Sequence, residues 1–166
     1  MPKQRRGDKM ILYHGSNVSI DKIDLAKCRP YKDFGKGFYL TDIRNQAERM
    51  AARTAKMFRG EPILTSFEFD LDSALRHGLK IKIFDSPNEE WARFVMVNRD
   101  INTKQPGHDY DIVIGPVADD TIARLLRMFT EHFISERQLV EELTFSEVTS
   151  QYFFHTKAAI KMLKKI

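Results

Sequence analysis

Two hydrophobic periods run along this chain and alternate without a fixed rhythm. Short apolar runs bounded by turn residues predict strands at Ile11 to His14, Phe38 to Thr41, Ile63 to Phe69, Leu79 to Phe84, Asp109 to Val117 and Tyr152 to His155. The first ends at Gly15-Ser16-Asn17 and the second is entered through Gly35 and Gly37. Helical spacing predicts a helix from Arg44 to Phe58 with Asp42 as its cap, and one from Pro87 to Arg99 with Trp91, Phe94 and Val95 on one face. Two more are predicted, from Asp119-Asp120 to about Phe129 and from Ser135 to Leu143, where Gln138 completes a capping box. A basic amphipathic helix is expected over Lys157 to Lys165, with Ala158, Ile160 and Leu163 packed and the lysines in water. Between Val18 and Lys36 there is no period, only Ile20, Ile23 and Leu25 as anchors and a break at Arg29-Pro30; a long surface loop of this kind often carries function.

Several of the predicted connections are too short for parallel crossovers, so the fold class is α+β rather than a doubly wound sheet. Gly35-Lys36-Gly37 lacks the third glycine of a dinucleotide fingerprint and precedes a strand instead of following one. With no repeat and no interdomain linker, the expected organisation is a flexible basic tail over residues 1–9 and a single domain over 10–166.

Composition narrows the class. At 166 residues, 42% hydrophobic and 30% charged, the chain can bury a core without staples. A single cysteine, Cys28, excludes an internal disulfide and has no ligand partner at zinc spacing, and His77, His108 and His132 share no ligand spacing, so no metal is expected. No signal-peptide core and no run of about 18 apolar residues is present, which points to a cytoplasmic, soluble protein with no membrane role. The net charge of +4 is concentrated in the tails, at Lys3, Arg5, Arg6, Lys161, Lys164 and Lys165, without interleaved aromatics; a nucleic-acid footprint is the weaker reading.

Three segments set polar groups beside strands: Tyr13-His14-Gly15-Ser16, Asp33 to Thr41, and Ser150 to Thr156. Singly, each has a bland reading: His14 as a hydrogen-bonded structural histidine, Tyr39 as core, His155 as a partner for strand backbone or a carboxylate, and Cys28 as packing. The run Phe34-Gly35-Lys36-Gly37-Phe38-Tyr39-Leu40-Thr41-Asp42 resembles the second motif of ADP-ribosyltransferases of the poly-ADP-ribose-polymerase type, and Tyr13-His14-Gly15-Ser16 resembles the first. From Tyr13 onward the chain resembles the bacterial family called domain of unknown function 3990, placed in the same superfamily.

The resemblance implies a split β-sheet core with flanking helices, and NAD⁺ as co-substrate. It implies that His14 donates to a ribose hydroxyl, that the backbone of Gly15 meets the nicotinamide carboxamide, and that the Tyr39 ring stacks on nicotinamide, with Ser16, Gly37 and Phe38 completing the cofactor contacts. Gly15 would permit close backbone approach, and an aromatic face suits a cationic ring by about 0.5–2 kcal/mol. Over Asn17 to Asp33 the family covers adenosine and pyrophosphate, where Arg29, Lys32 and Lys36 are donors to phosphate.

The chain also departs from the pattern. The third motif's glutamate, near the start of a late strand, corresponds to Gln151, which can accept from a ribose hydroxyl but brings no charge and no general base; Glu147 is the alternative if the strand starts earlier. Where relatives place a serine and a second aromatic after Tyr39, Ala47 and Met50 stand here. Loss of the glutamate accompanies single-unit transfer, so the expected activity is mono-ADP-ribosylation of a macromolecule, protein before nucleic acid, with nicotinamide released. A toxin-like role with an antitoxin or regulatory partner goes with the resemblance. NAD⁺ hydrolysis, and a non-catalytic module that binds NAD⁺ or ADP-ribose, are the other readings.

Overall fold

The computed structural model describes residues 9–166, which form seven strands, six α-helices and a short 3-10 turn. The mixed α+β class expected from the sequence is the one observed. Of the expected tail, residues 1–8 lie outside the described residues, and Lys9 pairs with Glu68 at 2.9 Å.

Strands β1 (Met10–Ser16), β3 (Ile63–Phe69) and β7 (Lys164–Lys165) make an antiparallel sheet in the order β1-β3-β7. Alternation along β3 buries Thr65, Phe67 and Phe69, and the register sets Leu12 opposite Phe67 and His14 opposite Thr65, so Leu12, His14 and Ser16 share the inward face. The opposite face of β1 is met by α1 (Arg44–Phe58) through Ala47 and Ala51. There the helix backbone comes so near that a Cβ on Gly15 would stand 2.0 Å from the Ala47 carbonyl oxygen and 2.8 Å from the Ala51 nitrogen.

A second sheet has the order β2-β6-β5-β4, from β2 (Phe38–Leu40), β6 (Ser150–Phe154), β5 (Ile112–Pro116) and β4 (Ile81–Ile83). All pairs are antiparallel except β4 with β5, which are joined through the helix α3 (Glu89–Arg99). Every residue of β5 is buried, as a central strand covered on both faces requires. On one face Ile112, Ile114, Tyr152 and Phe154 pack with Phe38, Leu40, Leu12, Phe67 and Phe69, which joins the two sheets. On the other, Val113 and Phe153 pack against Trp91 and Val95 of α3, Ile122 and Leu126 of α4 (Asp120–Thr130) and Leu139 and Leu143 of α5 (Glu136–Thr144). Trp91 is wholly buried, and its indole N–H donates to Pro116 O at 3.0 Å.

The caps at Asp119 and Ser135 form as the sequence predicts, the latter with both bonds to Gln138. Asp42, in contrast, does not cap α1: Ile43 holds that position without a side-chain bond, and Thr41 Oγ1 accepts from Ile43 N. Asp42 instead meets the Tyr152 hydroxyl, which burial first and this carboxylate second push up to about 12. The C-terminal helix is also shorter than expected. After α6 (Lys157–Ile160), with Ala159 buried rather than Ala158, the chain turns and adds β7 to the edge of β3. A helix absent from the sequence reading, α2 (Leu71–Arg76), is capped by Asp70 and closed at Gly78, where φ is 77°. The segment 17–36 is irregular as expected, apart from the turn Leu25–Lys27, and Ile20, Ile23 and Leu25 half-bury against the core between the sheets.

Replacing Gly15 with alanine must push α1 off β1, because the obstructing atoms are backbone. Gly15→Ala is expected to cost about 1–3 kcal/mol or more, read as a lowered thermal midpoint, whereas Gly78→Ala meets open space and is expected to cost only the strain of an L side chain at a φ of 77°, about 1 kcal/mol.

Candidate functional site

The two sheets touch at one isolated bridge, where Tyr13 N donates to Thr41 O at 2.8 Å and Thr41 N returns to Tyr13 O at 2.9 Å. Beside that junction a cleft of about 630 Å³ opens between the ends of β1 and β2, one face of α1 and the loop after β1. His14, Gly15, Ser16, Gly37, Phe38, Tyr39 and Gln151 all line it. Glu147 is exposed in the loop before β6 and does not; the strand begins at Ser150, which makes Gln151 its second residue.

His14 is fixed by β2. Its Nδ1 stands 2.8 Å from Tyr39 O, and its ring stacks on Phe38 with centroids 4.3 Å apart. A carbonyl only accepts, so Nδ1 carries the proton, and in the neutral ring Nε2 is an acceptor. Burial lowers the imidazole from the ordinary 6.5; the bond to Tyr39 opposes this and the Lys32 charge adds to it. The ring is therefore neutral at pH 7, and a hydroxyl meeting Nε2 would donate, the reverse of the direction expected from the resemblance.

Tyr39 is held by its hydroxyl. The O–H donates to Gly35 O at 2.8 Å and accepts from Phe34 N at 3.0 Å, which ties the tight loop before β2. Burial raises the phenol well above its ordinary value, so it stays protonated. The ring packs on Phe153, 4.7 Å between centroids, and the Lys32 ammonium stands 5.4 Å from its centre. Gly35 needs its positive φ of 94° to make this loop, and a Cβ on Gly37 would strike Phe153 at 2.2 Å.

Gln151 is 9% exposed, and both of its bonds run through Nε2, to Asp33 Oδ2 at 2.8 Å and Pro116 O at 3.3 Å. Asp33 lies at the end of the long loop and is 6% exposed. Its carboxylate also accepts from Arg99 Nε at 2.7 Å and from Ala118 N at 2.9 Å. Asp33 and Arg99 do not line the cleft but stand behind Gln151, and the sequence reading gave neither a role; the charge pair spans 66 positions and leaves no local spacing to find.

The rim of the cleft is cationic, with Lys22, Lys27, Arg29 and Lys32 along the loop. Arg29 covers the Phe58 ring at 5.1 Å, and Lys32 is held below its ordinary value by desolvation and by Arg29. Lys36, a third expected phosphate donor, is not part of the lining; its carbonyl accepts from His155 Nδ1 at 2.8 Å, and His108 Nε2 bonds Phe34 O, so two histidines hold the same loop from outside. Ala47 and Met50 line the cleft, as does Cys28, whose thiol burial pushes up. Among the described residues no group of His, Cys, Asp and Glu could hold a metal ion, and no helix is long and apolar enough to cross a membrane.

The family described as Protein of unknown function (DUF3990) matches residues 10–165. The chain belongs to this family. Its match thus covers β1, the loop, β2 and β6, all the segments that build the cleft of this DUF3990 chain. No curated protein and no solved structure matches it.

Two outcomes follow from the buried groups. Tyr39→Phe keeps the ring and leaves Phe34 N and Gly35 O without their partner, at a cost of about 1–3 kcal/mol in stability, checked by denaturant unfolding. Because the folded state depresses His14, and His108 likewise mainly through burial, stability is present above the ordinary imidazole value of 6.5 and lost as the pH falls through the folded values. His14→Gln is expected to flatten part of that acid limb in thermal midpoints measured against pH.

Proposed function

We propose that this chain is a mono-ADP-ribosyltransferase that takes NAD⁺ in the cleft beside the sheet junction and moves ADP-ribose to a macromolecular acceptor, releasing nicotinamide. The observation that carries the reading is convergence: His14, Tyr39 and Gln151, from three separate segments, line one cleft with a cationic rim. On this reading the nicotinamide ring lies on Tyr39, its carboxamide meets the Gly15 backbone, and a ribose hydroxyl donates to His14 Nε2. Arg29 and Lys32 reach the pyrophosphate as charged donors. As the glycosidic bond breaks, its electron pair leaves with nicotinamide, and the acceptor attacks the sugar carbon and gives up its proton to water. Positioning and fixed dipoles supply the rate, since the Gln151 amide has no charge to place near an oxocarbenium-like state. The acceptor is a protein before a nucleic acid, and a toxin-like role held in check by a partner belongs to the same reading.

One observation favours a second reading, a module that binds NAD⁺ or ADP-ribose without turnover: the carboxylate nearest to the third-motif position, Asp33, is already engaged by three donors. Incubation with NAD⁺ labelled on the adenine side distinguishes them. The transferase predicts free nicotinamide together with label on lysate proteins, both falling on the order of 100-fold in His14→Ala and Tyr39→Ala. Nicotinamide without label means hydrolysis, and NAD⁺ binding with neither product means the binding module.

A further inference from the structure

The reading above leaves the buried carboxylate of Asp33 without a task. Its three partners are all donors: the Arg99 guanidinium, the Ala118 backbone N–H and the Gln151 amide. A carboxylate and a backbone carbonyl can only accept, so with Asp33 Oδ2 and Pro116 O both against one end of Gln151, that end must be the NH₂. The amide has no freedom to turn over, and Oε1 is the end left for the cleft that Gln151 lines.

We propose that Asp33 is the positioning residue of this cleft: it fixes the Gln151 amide with its carbonyl oxygen toward the ligand, and it makes glutamine, rather than glutamate, the side chain that position 151 requires. The inference rests on the reading of the cleft as an NAD⁺ site, and it names the group that Oε1 takes: an O–H or N–H donor, such as a ribose hydroxyl or a carboxamide NH₂. A carboxylate at 151 would set one of its oxygens 2.8 Å from Asp33 Oδ2 and 3.3 Å from Pro116 O with no hydrogen between them. It would have to hold a proton or leave its place. The departure from the glutamate motif is then a matched exchange, in which the negative charge sits one shell behind the cleft, neutralised by Arg99, and the cleft receives a neutral acceptor.

The test is a charge exchange read in two ways on the full chain: melting temperature at about pH 5 and about pH 8, and NAD⁺ affinity by calorimetry. Gln151→Glu is expected to melt below the wild type at the higher pH, with the gap narrowing at the lower pH where the introduced carboxyl can be protonated, and to bind NAD⁺ on the order of tenfold more weakly. Adding Asp33→Asn to Gln151→Glu removes the facing charge and leaves only the Pro116 carbonyl against the introduced oxygen, so it should narrow the pH-dependent gap by more than half and recover part of the lost affinity. Gln151→Met, similar in length and uncharged, should lose affinity with no pH-dependent gap in melting. If Asp33→Asn fails to fold, the contrast between Gln151→Glu and Gln151→Met still decides. A Gln151→Glu variant that melts and binds like the wild type at the higher pH, or better, overturns the proposal, as does a double variant that keeps the gap. Should the wild type bind no NAD⁺, the reading of the cleft fails, while the melting series still decides whether Asp33 dictates the residue at 151.

Discussion

A single pair of backbone hydrogen bonds between Tyr13 and Thr41 governs how this molecule is arranged. Had the ladder between β1 and β2 continued, the two sheets would have merged and the cleft would have been filled by strand backbone. With one bridge only, backbone pairing between the sheets stops at a point; the apolar core joins them on one side, and the cleft opens beside the bridge, lined by its neighbours. His14 follows Tyr13, and Tyr39 precedes Thr41 by two positions; the bond from the His14 ring to Tyr39 O is a third tie across the same seam. The packing of Leu12, Phe38, Leu40 and Phe67 beneath the seam keeps it from opening further.

A second constraint lies behind the cleft. Asp33 brings the long loop, α3 through Arg99, the start of α4 through Ala118 and β6 through Gln151 to one carboxylate. Burying a charge is costly unless it is fully paired, so these four segments must arrive together. The helical layer on the far side of the second sheet is thereby tied, through Asp33, to a residue that lines the cleft, although none of its apolar residues lines it.

The sequence made much of this legible and hid the rest for identifiable reasons. Strands with alternating faces, such as Ile63 to Phe69, and helices with acceptor caps, such as those behind Asp119 and Ser135, are local signals. Ala47 and Ala51 are silent about how near α1 comes to β1, and the Gly15 backbone therefore has a packing reason for lacking a side chain that the motif alone does not reveal. The lysines after Ile160 scan as one polar helix face, but two of them serve as an edge strand whose backbone bonds do not depend on side-chain period. Asp33 lies 118 positions from Gln151, in a loop where charged residues are ordinarily solvated, and only burial distinguishes it from its neighbours.

The ammonium of Lys32 stands over the Tyr39 ring, so a second cation coming to that face meets one already there. On the proposed reading, a pyridinium arriving on that face would gain no attraction that the lysine did not already enjoy; it would take part in an exchange, and the displaced ammonium would be freed toward whatever anion entered alongside. Selectivity under such a swap goes to ligands that carry both signs of charge in one body, and a neutral ring on its own has little to offer in return for evicting the lysine. On the proposed transfer, the ring would be neutral once the glycosidic bond is broken, and the returning lysine would help to clear it from the aromatic face.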